Sequence, residues 1–170
     1  MESDFSQDNW YQADLYKFSN NVRTALTNKW QNALKERSVD MSRMKLFYEI
    51  TDVDHCIRAQ PYTNIRSRQK RSVLAKIRMG TLPLKLETGR YRSIPEVQRI
   101  CENCDLNEVE NEKHFIFYCS KHVDIRNDKL NRLLDNDYDD VQNLKMIFSD
   151  LDRSKDFAEY LLEGLNNRIK

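Results

Sequence analysis

Glycine and proline are scarce in this chain, with three of each among 170 residues. Loop-rich sandwiches spend both residues on their many turns, so the scarcity argues for helices. Long apolar runs are missing too: no stretch approaches the roughly 20 apolar residues a membrane-spanning helix needs, and no membrane partner is expected. The first residues, Met1-Glu2-Ser3-Asp4, are acidic and lack the apolar centre of a secretory signal. Cysteine is sparse, with four residues. Without a signal, the expected place is intracellular, in nucleus or cytoplasm, where cysteines serve metals more often than disulfides. A hydrophobic share of 39% against 32% charged residues leaves a modest core, enough for one domain or one domain with a small appendage.

Net charge is also nearly absent, at +1, but the balance is uneven along the chain. Residues 57–100 carry eleven Lys and Arg against only Glu87 and Glu96, whereas residues 101–119 carry five acids against Lys113. A basic block next to an acidic one suggests contact with a polyanion, RNA or DNA, through Arg66, Arg68, Lys70, Arg71, Lys76, Arg78, Arg90 and Arg92. Tyr62 and Tyr91 are candidates to stack on unpaired bases. The competing reading is a solvated helix face whose cations pair with the acids of 101–119. Arg90 and Arg99, which flank that loop, would suit such pairs.

Apolar periodicity places helices along most of the chain. Val22, Leu26, Trp30 and Leu34 recur four apart over residues 20–37. Trp10, Tyr11, Leu15 and Phe18 suggest a separate helix before them, broken near Ser19-Asn20, which would cap the next one. Residues 42–50 place Met44, Phe47 and Tyr48 on one helical side, and residues 52–63 look like a connector. Asn64 is a candidate cap for a helix to Met79 that buries Ile65, Val73, Leu74 and Ile77 and stops at Gly80. Leu82, Leu84 and Leu86 suit a short helix closed by Gly89. Ser120 is a candidate cap for a helix through Leu134, with Val123, Leu130 and Leu134 inward. Residues 140–148 read as a short amphipathic helix, and a last helix starts at Asp152 or Ser154. The expectation is an all-α, zinc-stapled domain with a small knuckle-like insert. Its segments would be an N-terminal part at 1–60 packing on the core, a metal-binding region at 61–135 and closing helices at 136–170, forming one compact unit.

The insert is the most specific feature: Cys101-x2-Cys104-x9-His114-x4-Cys119. Two thiolates separated by two residues can reach one Zn²⁺ from a tight turn, and a His and a Cys five residues apart can complete a tetrahedron. Four protein ligands leave no open position, so the site reads as structural. The alternative is a set of free buried cysteines with a surface histidine. A redox CxxC is disfavoured, because the βαβ context of such motifs is missing. His122 and Cys56 are rival donors, read instead as a polar residue at a helix start and a small connector cysteine.

An ordered series of motifs surrounds these ligands. It runs Leu74-Ala75-Lys76-Ile77-Arg78-Met79-Gly80, Leu82-Pro83-Leu84, Glu87-Thr88-Gly89-Arg90-Tyr91, Arg99-x-Cys101-x2-Cys104, Val109-Glu110-x-Glu112-x-His114-Phe115, Cys119 and Arg126. It resembles the zinc-binding region at or beyond the C-terminal end of reverse transcriptases of non-LTR (LINE-like) retrotransposons, which derived stand-alone proteins also carry. The match spans about residues 65–130. Ser42 to Tyr48 looks like a segment that often precedes the region, and the tail through Leu161 and Arg168 like its closing helix. The resemblance implies zinc on Cys101, Cys104, His114 and Cys119, and contact with template RNA or target DNA. Asn111, where the family often has Asp, and His122, where an aromatic is common, depart from the pattern without touching a ligand.

Catalytic readings are weaker. Tyr138-Asp139-Asp140 lacks the intervening residue of a polymerase palm motif and sits where a helix N-terminus would favour Asp. Asp52 and Asp54 lie near His55 in a connector, with no strand-borne Glu-x-Lys for metal-assisted hydrolysis and no Ser-His-Asp set. The chain is therefore expected to be a non-enzymatic binding module. The alternative is a structural or protein-interaction domain in which zinc is only a folding staple.

Overall fold

The computed structural model describes residues 5–38, 44–51 and 59–168. It is mostly helical, and the described residues contain no strand beyond one isolated antiparallel bridge between Ile100 and Val109. The chain divides into two compact units near residue 40. Residues 61–135 and 136–170 fall in the same unit.

The first unit is one helix, α1 (Phe5–Ser38). The break expected at Ser19-Asn20 does not occur. Neither Gly nor Pro interrupts α1, and Ser and Asn are tolerated inside a helix when their side chains point to solvent. Leu15, Phe18, Val22, Leu26 and Trp30 are exposed.

The second unit begins with α2 (Lys45–Ile50), which buries Leu46 and Ile50, leaves Phe47 and Tyr48 half-buried, and packs on α6 (Asp140–Ser149). Helix α3 (Arg68–Arg78) starts three residues later than expected. Pro61 fixes a short 3₁₀ turn that ends at Asn64, and the side chain of Ser67 accepts from the Lys70 amide as the true cap. The apolar stripe is as expected: Ile65, Val73, Leu74 and Ile77 are buried. Gly80, at φ 63°, ends α3 in the left-handed conformation glycine adopts freely.

Leu82 and Leu84 are buried ahead of α4 (Lys85–Tyr91). Gly89 lies inside α4 instead of closing it. A Cβ there would sit 2.7 Å from Arg99 Cγ, so the glycine makes room for that side chain. Arg99 then donates to the carbonyls of Leu86 at 2.7 Å and Ile94 at 2.9 Å, tying α4 to the start of the loop at 101–119. Its role is internal, but through backbone carbonyls and not through an ion pair.

The helix expected from Ser120 to Leu134 is broken into short turns, with only α5 (Val123–Ile125) in α geometry. Leu130 and Leu133 point inward, Leu134 is half-buried, and Val123 faces solvent against expectation. Asp139 caps α6 through a capping box with Gln142, so the Tyr138-Asp139-Asp140 run is a helix start. Helix α7 (Leu151–Arg168) runs across α3, α6 and the turn at 126–130. It buries Phe157, Ala158, Tyr160 and Leu161, which join Leu74, Ile77, Phe115, Ile116, Leu144 and Ile147 in one core.

Candidate metal centre

Two local devices bring the ligands together. A minimal hairpin pairs Cys101 N–H with Glu108 C=O at 2.9 Å and Glu110 N–H with Arg99 C=O at 3.0 Å. Between its arms the chain turns tightly enough to present Cys101 and Cys104 on one side, and Asn107, at φ 53°, adopts the left-handed turn conformation that Asn tolerates. The second device is a single π-helical turn, His114–Tyr118. Its wider winding matches a spacing of five, and Cys119 N–H donates to His114 C=O at 2.8 Å, stacking the two ligands.

The result is compact. Cys101 Sγ lies 3.9 Å from Cys119 Sγ, and Cys104 Sγ lies 3.4 Å from His114 Nε2. One ligand atom from each of Cys101, Cys104, His114 and Cys119 falls within 4.8 Å of all the others, so the four side chains can hold a metal ion. Three of the four are buried, and Cys104 is half-buried.

Surrounding groups orient the donors. His114 Nδ1 is 3.0 Å from Glu108 Oε2, which leaves Nε2 facing the three sulfurs. Asn111 Oδ1 accepts from the His114 amide at 2.8 Å, which holds the start of the π turn. The carbonyls that the π turn leaves free are also satisfied: Tyr160 OH donates to Ile116 C=O at 2.6 Å, and Arg126 donates to Ile116 and Cys119 carbonyls at 3.1 and 2.7 Å. Burial pushes the Tyr160 hydroxyl up to about 12.

Burial also pushes the Cys101 thiol up to about 12, with the charges of Glu110 and Cys119 adding to the effect, and it raises the Cys119 thiol as well. In the absence of a cation these thiols hold their protons. A bound cation has to displace them, which makes affinity fall in acid.

Glu110 ties the loop to the rest of the fold. This buried carboxylate takes both Arg168 Nε and Nη2, at 2.9 and 2.7 Å, and also accepts the Lys85 amide at 2.8 Å and Asn103 Nδ2 at 3.3 Å. Arg168 Nη1 reaches Pro83 C=O at 2.8 Å. The residue-type pattern marked Glu110 as a motif position, but its partner 58 residues away at the end of α7 carries no local signal.

Of the rival donors, His122 is outside the cluster. It is buried, sits edge-on to Phe115 at 4.9 Å, and neither ring nitrogen has a hydrogen-bond partner. Burial, followed by the nearby Arg126, lowers its pKa to about 4. Cys56, His55, Asp52 and Asp54 lie outside the described residues.

Of the eight expected nucleic-acid contacts, one is buried and three have partners within the fold. Arg78 is buried, with Nη2 donating to Thr51 Oγ1 at 2.8 Å, so it cannot meet a nucleic-acid backbone at the surface. Lys70 is paired with Glu159, and Arg71 donates to the carbonyls of Ile65 and Arg66. Arg90 is paired with Glu87 at 3.0 Å and lies over the Tyr91 ring. Arg66, Arg68, Lys76 and Arg92 remain exposed and make no ion pair among the described residues. The acids of 101–119 are not what holds the basic helix: Glu108 and Glu110 serve His114 and Arg168, and Glu102 pairs with Lys85. Tyr62 packs edge-on to Phe148 and belongs to the core, while Tyr91 is exposed. No helix among the described residues is long and apolar enough to cross a membrane.

No protein-family model, no curated protein and no solved structure matches the chain.

Proposed function

We propose that this chain is a non-catalytic, zinc-stapled binding module of the kind its motifs resemble at the C-terminal end of LINE-like reverse transcriptases, and that it contacts RNA or DNA. The observation that carries the zinc assignment is the spacing of the donor atoms. Zn–S bonds of about 2.3 Å at tetrahedral angles place two sulfurs about 3.8 Å apart, and a Zn–N bond of about 2.0 Å places nitrogen about 3.5 Å from sulfur. The separations of 3.9 and 3.4 Å fit that tetrahedron. Three thiolates and an imidazole are a borderline-soft set that suits zinc, and four protein donors close the coordination sphere. The ion's role is therefore to join the hairpin, the π turn and, through Glu110, helix α7.

Nucleic-acid contact rests on Arg66, Arg68, Lys76 and Arg92, with Tyr91 as an exposed aromatic beside them in sequence. Four phosphate contacts would give a salt slope near −0.9 per contact on duplex DNA. Metal analysis of the purified protein should return one zinc per chain, and a filter-binding titration should show affinity for generic RNA or DNA that collapses with salt.

A specific observation also supports the protein-interaction reading. A groove of about 770 Å³ between α3 and α7 has an apolar floor of Val73, Leu82, Leu162 and Leu165, with Arg68 and Lys76 at its edge. An apolar floor of this kind suits an amphipathic helix better than a sugar-phosphate chain. Zinc content together with no nucleic-acid binding at low salt would favour this second reading.

A further inference from the structure

Arg78 is the anomaly of the core. Its side chain is 94% buried on the basis of its 6% exposure, yet no carboxylate pairs with it among the described residues. Nη2 reaches only the Thr51 hydroxyl, and Nε has no hydrogen-bond partner. The guanidinium carbon lies 5.1 Å from the Phe47 ring centroid and 5.9 Å from that of Phe148, so two aromatic rings flank it beside Thr51. A guanidinium keeps its charge at any ordinary pH. Buried charges are as a rule paired, because an unpaired one forfeits its hydration with nothing in return.

The same arginine lines a cavity of about 470 Å³, a volume in the range of small-ligand sites. Ile50, Pro61 and Phe148 supply apolar wall, while Gln60 and Ser149 add polar groups. Lys145 also lines the cavity but is already engaged, which leaves Arg78 as the uncommitted cation among the described lining residues.

We propose that this cavity is a binding site for an apolar carboxylate, with Arg78 as its receptor. One uncommitted cation matches one negative charge, which favours a monoanion over a phosphate dianion. A planar guanidinium matches a planar carboxylate through parallel N–H···O bonds. The apolar walls suit a hydrocarbon or aromatic body behind the acid. Two sources supply that chemistry, a free small acid and the C-terminal carboxylate of a peptide ending in an apolar residue.

The test is calorimetric titration of the zinc-loaded full chain at neutral pH with three probes: 4-phenylbutyrate, N-acetyl-Leu-Phe with a free carboxylate, and the same dipeptide amidated. A free-acid probe should bind, and the amidated dipeptide should be weaker by about tenfold or more. Arg78→Met should weaken binding by at least about tenfold. It should keep the fold, because replacing an unpaired buried charge by an apolar chain of similar length is neutral or stabilising. Ser149→Trp, on the exposed rim, should block the cavity while Arg78 stays in place. Tighter binding of the dipeptide than of phenylbutyrate would assign the site to a chain end, and the reverse to a small acid. No binding of either free acid up to about 10 mM, or equal affinity in folded Arg78→Met, would overturn the proposal.

Discussion

The acidic loop at 101–119 and the basic segment at 57–92 handle their charges in opposite ways. In the loop, Glu110 and Glu112 are buried and Glu108, though exposed, is bonded to His114, so three of its five acids act within the fold. In the basic segment the cations divide. Lys70, Arg71 and Arg90 are tied into the fold and Arg78 is buried, while Arg66, Arg68, Lys76 and Arg92 face solvent. The difference comes from the range over which each role is set. The four Cys and His donors are assembled by two turns a few residues long, so their spacing in the chain becomes their geometry in space. Two of the cations' roles depend on distant partners, since Glu159 is 89 residues from Lys70 and Thr51 is 27 from Arg78, whereas Arg71 and Arg90 are held by groups three to six residues away.

Depriving the Cys/His cluster of its proposed zinc should have the largest effect. Strong chelation, or Cys104→Ser, should melt the metal loop and much of the second unit, because the binding free energy of a structural zinc, on the order of 10 kcal/mol, is folding free energy. Far-UV circular dichroism would register the loss of helix. Retention of wild-type melting by a metal-free Cys104→Ser variant would show that the loop is ordered by its own packing.

Next in size is Glu110→Ala, which strands the Arg168 guanidinium. Removing one partner of a buried pair costs about 3–5 kcal/mol, readable in chemical denaturation. Glu108→Ala is the contrasting variant. Glu108 is exposed, so stability should change little at saturating metal, while metal affinity should fall roughly 10–100-fold as His114 loses its orienting carboxylate.

The basic segment is tested by reversing its two classes of cation separately. Changing Arg66, Arg68, Lys76 and Arg92 to Glu should remove binding to generic nucleic acid. With about four phosphate contacts, wild-type affinity itself should drop roughly a hundredfold between 50 and 200 mM salt. Lys70→Ala breaks a partly exposed ion pair and should leave binding within about a factor of two, with stability lowered by no more than about 1 kcal/mol. Equal effects from both sets would mean that the division into structural and free cations is wrong.

A separate effect is a pH response at His122, whose pKa is lowered by burial first and then by the charges of Arg126, Arg168, Lys121 and His114. Its folded pKa of about 4 lies below the unfolded value near 6.5. Its contribution to stability is therefore complete above pH 6.5 and is lost as pH falls through 4. Between pH 7 and pH 5 the loss should be about 2 kcal/mol. His122→Leu should bind zinc normally and lose less stability over that interval than the wild type, measured by urea denaturation at both pH values. An unchanged interval would mean that His122 does not carry the acid response.

How much of this was legible in the sequence follows from the same distinction of range. The ligand set and the stop at Gly80 depend on residues within one or two turns, and the apolar positions of α3 repeat at helical spacing. Helix starts were less legible: Asn64 and Ser67 are both good caps, and only the 3₁₀ turn fixed by Pro61 decides between them. The run after Ser120 has helical periodicity, yet Arg126 and Tyr160 engage the carbonyls at Ile116 and Cys119 just before it, and the stretch winds through π and 3₁₀ turns. Glu110, Arg168 and the burial of Arg78 were illegible for one reason: each depends on a partner or environment built by remote parts of the chain.

On the proposed reading, Cys101, Cys104, His114 and Cys119 close around one zinc ion. X-ray absorption at the zinc edge of the purified protein tests it most directly. The account predicts one zinc per chain with three sulfurs at about 2.3 Å and one nitrogen at about 2.0–2.1 Å, unchanged in His122→Leu and lost in His114→Ala. A protein without zinc, or a shell that keeps its nitrogen in His114→Ala and loses it in His122→Leu, would contradict it.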